Sequence, residues 1–504
     1  MTSDPRTAPA RLSARELLAQ ALDDGTWESW DVPVHDPHGL DPAYAAELAA
    51  AREHTGLDES VLTGAGRLRG RRVAVVACEF GFLAGSIGVA SAERLVSAVE
   101  RATAEGLPLL ASPVSGGTRM QEGTVAFLQM VKISAAIAAH RAAGLPYLVY
   151  LRHPTTGGVF ASWGSLGHVT VAEPGALIGF LGPRVYQALY GAEFPDGVQL
   201  AENLYQHGLV DAVLPPDQVA EIADRALRVL SAPRQGLLRP PSLPTEELGD
   251  VSAWTSIAAS RRPERPGVRR LLRHAAQDVV PLHGTQEGES GSGLILALAR
   301  FGGAPAVVLG QDRRGQTLES PLGPGALRAA RRGMRLAEEL RLPLVTVVDT
   351  PGAALSKEAE ERGLAGEIAR CLAELVTLEA PTLCVLLGQG TGGGALALLP
   401  TDRVLCAEHA WLSPLPPEGA SAIIHRTVEK APEMAAAQGV RSRDLLAAGI
   451  VDRIVAERPD AADEPEAFLG RLAQGIEYEL VELLERSPDE RRAARADRYR
   501  RLGT

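Results

Sequence analysis

The chain has 504 residues, enough for two to four domains with large cores. Hydrophobic residues make up 45% and charged residues 22%, which excludes a disordered or collagen-like chain. A formal net charge of −11 at pH 7 argues against nucleic acid as the main partner, because phosphate binding draws on clustered positive charge.

The opening MTSDPRTAP lacks the charged-then-apolar pattern of a signal peptide. No stretch reaches the roughly 18 consecutive apolar residues of a membrane span, so a cytoplasmic protein with no membrane contact is expected. Residues 1–60 predict an N-terminal helical collar, with helices over Arg11 to Leu22 and Pro42 to Thr55 around the turn-rich WDVPVHDPHG. From Arg71, β-rich runs alternate with amphipathic helices: VAVVACEF, AERLVSAVERATAEG, LPLLASPVSGG, a helix to Ala143, then LPYLVYL. That rhythm predicts an α/β fold. Prolines 233, 240, 241, 244, 263 and 266 mark 233–266 as a linker or crossing segment between a domain at 61–232 and another at 267–504. The rhythm resumes with GGAPAVVLG, a helix through Met334, LPLVTVVDTPG and APTLCVLLGQGTGGGALAL, and Glu466 to Arg498 predicts a C-terminal helix restarted at Pro488.

An internal repeat organises these elements. Leu107-Pro108-Leu109 matches Leu342-Pro343-Leu344, Pro146 matches Pro381, Thr156-Gly157-Gly158 matches Thr391-Gly392-Gly393, and Ala172-Glu173 matches Ala407-Glu408, all at an offset of 235. Two copies of one fold explain a single gapless offset better than coincidence does.

In both copies a β-run ends in a small-residue turn before a helix, at SPVSGGTRMQEG (112–123) and VDTPGAALSKEAEERG (348–363). A second Gly cluster follows in each, TTGGVFAS (155–162) and GTGGGALA (390–397). Glycines at a helix start let backbone N–H groups approach a ligand oxygen, and the helix dipole adds about half a positive charge, which is the hardware of an oxyanion hole. Other chemistries fit poorly. GTGGG has no P-loop lysine, and the chain holds only three lysines, Lys132, Lys357 and Lys430. Gly388, Gly390 and Gly393 satisfy G-x-G-x-x-G, yet Pro400 cuts the following helix short and HPTTGG in the first copy lacks the first two glycines. The eleven histidines are scattered singly, and Cys78, Cys371, Cys384 and Cys406 form no C-x-x-C pair, so no metal is expected and buried thiols in a reducing cytosol are. Glu122 and Glu361 stand near predicted helix starts as candidate caps. The duplicated site therefore offers oxyanion donors without an obvious side-chain base.

FLAGSIGVASAERLVSAVERATAEGLPLL, SGGTRMQEG, HPTTGGVFASWGSLGHVTVAEPGALIGFLGPRV and HGLVDAVL closely resemble the β half of the acetyl-CoA carboxylase carboxyltransferase. RRPERP, LHG, DTPGA, AEERG, GTGGGALAL and PEGASAI resemble its α half, and together the motifs cover about residues 15–480. The resemblance implies two crotonase-like domains of the ClpP/crotonase superfamily in tandem. It also implies acyl-CoA on the first half, carboxybiotin from a separate biotin carboxyl carrier or biotin carboxylase subunit on the second, and sites shared between subunits of a homodimer or hexamer. In that chemistry the biotin ureido nitrogen takes the acyl α-proton and the thioester enolate attacks CO2, which explains the missing base and the need for two sets of N–H donors. By motif position, Gly116 and Gly117 are expected to hold the thioester oxygen, and Gly394 and Ala395 the ureido oxygen. Arg119, Thr156, Gly157 and Gly158 in the first half, and Gly352, Gly393 and Ala397 in the second, are the expected substrate-binding residues, with the small Ala397 leaving room for acetyl or propionyl. Acetyl-CoA to malonyl-CoA, the entry to fatty acid biosynthesis, is the expected reaction.

Three departures stand out. The family's N-terminal four-cysteine zinc ribbon has no counterpart, the usual DTPGAYP continues as Ala354-Leu355, and the usual LHGDR reads His283-Gly284-Thr285-Gln286. With no biotin-attachment M-K-M motif and no ATP-grasp region, the chain is expected to be one component of a carboxylase. The altered second-half loops keep open a biotin-independent acyl-CoA decarboxylase, and a non-catalytic acyl-CoA-binding scaffold is the remaining alternative.

Overall fold

The computed structural model describes residues 11–34, 40–238, 240 and 248–503. The chain divides into two units, Met1–Leu227 and Arg228–Thr504, with the division falling inside helix Val219–Leu230.

Among the described residues of the first unit, seven strands form one sheet in the order Glu28–Ser29, Val61–Leu68, Arg71–Cys78, Leu109–Ser112, Tyr147–Leu151, Val169–Ala172, Ala212–Val213. The first two joints are antiparallel and the rest parallel. The second unit repeats the plan from its hairpin Leu294–Phe301 and Ala304–Gln311 onward, through Leu344–Thr350, Thr382–Thr391, Arg403–Ala407 and Arg453–Val455. Runs such as VAVVAC and the start of LVTVVDT are largely apolar because the strands are covered on both sides, and every residue of Leu344–Thr350 is buried.

The 235-residue register holds at atomic detail. Helices Val89–Ala104 and Pro324–Glu339 both begin on an extended glycine, Gly88 and Gly323, and both run for 16 residues. Leu107 N–H donates to the Ala102 carbonyl as Leu342 N–H does to Ala337, and Leu109 N–H to Pro146 as Leu344 N–H to Pro381. The first unit's core lies where Ala92, Leu95, Val96, Val99 and Ala102, at helical spacing, meet Ile133 and Ile137.

Collar helices Ala14–Ala21, capped by Ser13, and Pro42–Thr55, capped by Asp41, stand where the sequence predicts them. Part of the turn-rich stretch between them, residues 35–39, and the opening residues 1–10 lie outside the described residues. The stretch 233–266 belongs to the second unit: helix Ala253–Ser260 packs Ala253 and Ile257 against Trp411, Ala435 and Val440, and Arg265 is buried on Glu457. Pro241 and Pro244 lie outside the described residues. Helices Pro465–Glu485 and Pro488–Arg500 close the chain.

Met120–Ala142 is long and apolar enough to cross a membrane by length and composition. Here its Ala126, Met130, Ile133, Ala136 and Ile137 are buried in the domain, while Val125, Phe127, Leu128 and Val131 are exposed.

Candidate active site

In the first unit three loops meet at the carboxyl ends of the parallel strands. The 83–88 loop turns through Leu83, Ala84 and Gly85 with φ of 44°, 55° and 63°, a left-handed run that costs about 1–3 kcal/mol per non-glycine residue. A Cβ at Gly85 would stand 2.1 Å from the Val114 carbonyl oxygen, so only glycine fits there. The 113–119 loop is zipped to this turn: Gly116 N–H donates to the Ala84 carbonyl at 2.8 Å, Ile87 N–H to Gly117 at 3.0 Å and Arg119 N–H to Ile87 at 3.0 Å. On its other side Thr156 N–H donates to the Ser115 carbonyl at 2.9 Å. The Ser115 hydroxyl accepts the Gly117 N–H at 2.9 Å and lies 3.2 Å from the Gly117 carbonyl.

These contacts overturn the expected donor pair. The N–H groups of Gly116 and Gly117 are both engaged within the protein, so neither points a free donor at a ligand. Gly158, half-buried in the second cluster, has an N–H with no acceptor among the described residues, whereas Gly157 N–H donates to the Gly179 carbonyl at 3.2 Å. Gly117, at φ 113°, instead gives Gly157 room: a Cβ on Gly157 would sit 3.4 Å from the Gly117 Cα.

The second unit repeats the device. Gly352 N–H donates to the Thr350 hydroxyl at 3.1 Å, and that hydroxyl lies 3.0 Å from the Gly352 carbonyl. Ser115 and Thr350 are 235 apart, so the latch was legible as a repeat-matched hydroxyl and was missed. Strand Thr382–Thr391 runs directly into the short helix Gly392–Leu396, whose first three N–H groups have no carbonyl inside the helix. Half-buried Gly393 is the register mate of Gly158, and Gly394 follows it. Ala395, the other expected donor, follows Gly394 in this helix and is fully buried. Below the helix, Asp349 is 1% exposed; burial raises its carboxyl pKa, countered by Arg313, a Gln389 N–H at 3.1 Å and Arg265.

Two further expected residues are placed otherwise. Arg119 is 1% exposed and its guanidinium clamps Glu59, at 2.8 Å through Nη1, with the Ser86 carbonyl and Ser60 hydroxyl also in reach. Beside it Tyr44 donates to Glu122 at 2.5 Å, and burial together with that carboxylate pushes the phenol up to about 12. Glu122 also accepts the Val89 N–H at 2.5 Å, so it caps the neighbouring helix rather than its own. Arg119 thus anchors the loop. Glu59→Ala strands this buried guanidinium, and a loss of about 3–5 kcal/mol is expected in denaturant unfolding; an unchanged midpoint would show the pair to be dispensable. Ala397 is fully buried beneath the helix, its N–H on Gly393, and lines no accessible surface. Thr156 is buried with its hydroxyl 3.3 Å from the Ser115 carbonyl. Departure Ala354 lines a cavity of about 350 Å³ with Ser292, Ser320, Gly323, Ser356 and Arg362, and Leu355 next to it is exposed.

A matched pair of backbone-donor turns, without a side-chain base, can stabilise two oxyanions. Residues 36–493 match the model of the Carboxyl transferase domain. The chain belongs to the carboxyl transferase family. This carboxyl transferase is 63% identical over 500 residues to a probable biotin-dependent acyl-coenzyme A carboxylase beta3 subunit of Mycobacterium tuberculosis, covering 98% of this chain and 99% of that one. It is 38% identical to the acetyl-coenzyme A carboxylase carboxyl transferase subunits beta/alpha of Salinispora arenicola, over 98% and 91% of the two chains. Among solved structures, transcarboxylase 12S superposes with a TM-score of 0.71 at 22% identity over 92% of this chain and 89% of that one. A single-chain, multi-domain long-chain acyl-CoA carboxylase gives 0.71 at 17% identity, over 92% and 46%. The fold of this carboxyl transferase is the tandem crotonase-like pair that the sequence led one to expect.

Proposed function

We propose that this carboxyl transferase moves a carboxyl group from carboxybiotin, carried by a separate protein, to the α-carbon of a short acyl-CoA, with acetyl-CoA and propionyl-CoA as the two acceptors. The observation that carries the reading is the repeat-matched donor turn at Gly158 and Gly393, one for each oxyanion the transfer creates. Gly158 N–H would hold the thioester oxygen as the enolate forms, and Gly393 and Gly394 N–H the ureido oxygen. The carboxyl donor, when bound, supplies CO2 and a basic ureido nitrogen, which removes the need for a protein base. The polar cavity beside Gly323 and Ser356 offers hydroxyls and an arginine suited to such a donor. Four buried free cysteines suit a reducing cytoplasm.

Assembly belongs to the same reading. Phe180, whose carbonyl lies against Gly157, and Leu189 are exposed, as are their register mates Leu415 and Ile424. Uncovered apolar flanks of this kind fit a homo-oligomer in which the first unit of one chain completes the second unit of another.

The test supplies a biotin carboxylase, a biotinylated carrier, ATP, bicarbonate and either acyl-CoA. A carboxylated thioester is the expected product. No product with either acceptor, from carriers shown to be carboxylated, overturns the reading.

A further inference from the structure

Helix Gly392–Leu396 has five residues, far below the roughly 12 at which a helix begins to hold itself in water, so outside bonds must fix its donors. Its last carbonyls also lack intrahelical partners. Gln311, the last residue of strand Ala304–Gln311, is fully buried and makes two bonds there. Its Nε2 donates to the Gly394 carbonyl at 2.7 Å, and its Oε1 accepts the Asp349 N–H at 3.1 Å. A carbonyl can only accept and an N–H can only donate, so the amide has one orientation that satisfies both. The matching eight-residue strand of the first unit ends at Cys78, and a thiol cannot span two loops in this way.

We propose that Gln311 is a positioning residue that fixes the Gly393–Gly394 turn against the end of strand Leu344–Thr350, and so sets the geometry on the carboxyl-donor side alone. This rests on the reading that Gly393 and Gly394 receive the ureido oxygen.

The test uses malonyl-CoA decarboxylation with biocytin as the carboxyl acceptor, on wild type, Gln311→Glu, Gln311→Leu and Gly394→Val. A carboxylate at 311 still accepts from Asp349 N–H, but it donates to the Gly394 carbonyl only when protonated. Asp349 and Asp312 disfavour its ionisation; Arg313, Arg265 and Arg269, with Glu457 and Asp460 behind Arg265, form the rest of the surrounding charge. Helix Gly392–Leu396 and the paired Leu294 add none.

Gln311→Glu is expected to fall about 10- to 100-fold below wild type near pH ~8 and to regain about five-fold of that ratio near pH ~6. Gln311→Leu should be low at every pH, with the KM for biocytin raised and that for malonyl-CoA unchanged in both variants. A pH-independent Gln311→Glu ratio, or a change confined to the malonyl-CoA KM, overturns the proposal. If Gln311→Leu does not fold, the Gln311→Glu ratio alone decides. Near-native turnover in Gly394→Val overturns the donor reading itself; an inactive Gly394→Val beside a wild-type-like Gln311→Leu overturns only the clamp.

Discussion

Gly158→Val is expected to lower turnover about 100- to 1,000-fold, the usual cost of losing one oxyanion donor. A Cβ at this position would stand 3.2 Å from Met130 Cγ and 3.2 Å from the Thr118 hydroxyl, both on side chains that can give by a few tenths of an ångström. The variant should therefore fold, with branched carbons laid over its own N–H. Gly117→Val is a poorer probe, because φ of 113° strains any side chain and the damage would mix folding with chemistry. Wild-type kcat in a folded Gly158→Val chain would remove the first donor turn from the mechanism.

Mixing Gly158→Val with Gly394→Val, each inactive alone, should restore activity. Random exchange between dimers makes about half of them mixed, each with one intact shared site, so recovery to about a quarter of wild type is expected. The measurement is activity against mixing time, with subunit exchange followed by native mass. Exchange without recovery would place each complete site within one chain. Because the Gly394 Cβ would crowd the Ala353 backbone nitrogen at 3.2 Å, that variant's thermal midpoint must be read alongside.

Much of this arrangement was legible in the sequence, and the physical boundary of what was legible is clear. The offset of 235 located strands, helices and Gly turns in both units because repeated punctuation reflects repeated backbone geometry. The second collar helix has the expected bounds Pro42–Thr55, whereas the first starts at Ala14 behind its Ser13 cap, three residues after the expected Arg11. What local pattern could not give was partnership across the chain. Gly116 looked like a donor until Ala84, 32 residues earlier, took its N–H. Arg119 looked like a substrate ligand until Glu59 buried it, and Ala397 looked like a pocket wall until the short helix closed over it. Glu122 lies near a predicted helix start and caps a different helix through the Val89 N–H. Helix Met120–Ala142 holds no unbroken apolar run, because Gln121, Gln129 and Lys132 interrupt it, yet Ala126, Met130, Ile133, Ala136 and Ile137 are buried in the core.

The most direct measurement follows CO2 release from malonyl-CoA by the purified chain with and without biocytin. Carboxyl transfer through paired donor turns predicts release that depends on biocytin, saturates with it and leaves acetyl-CoA. Release at the same rate without biocytin would contradict the account and make the protein a biotin-independent decarboxylase.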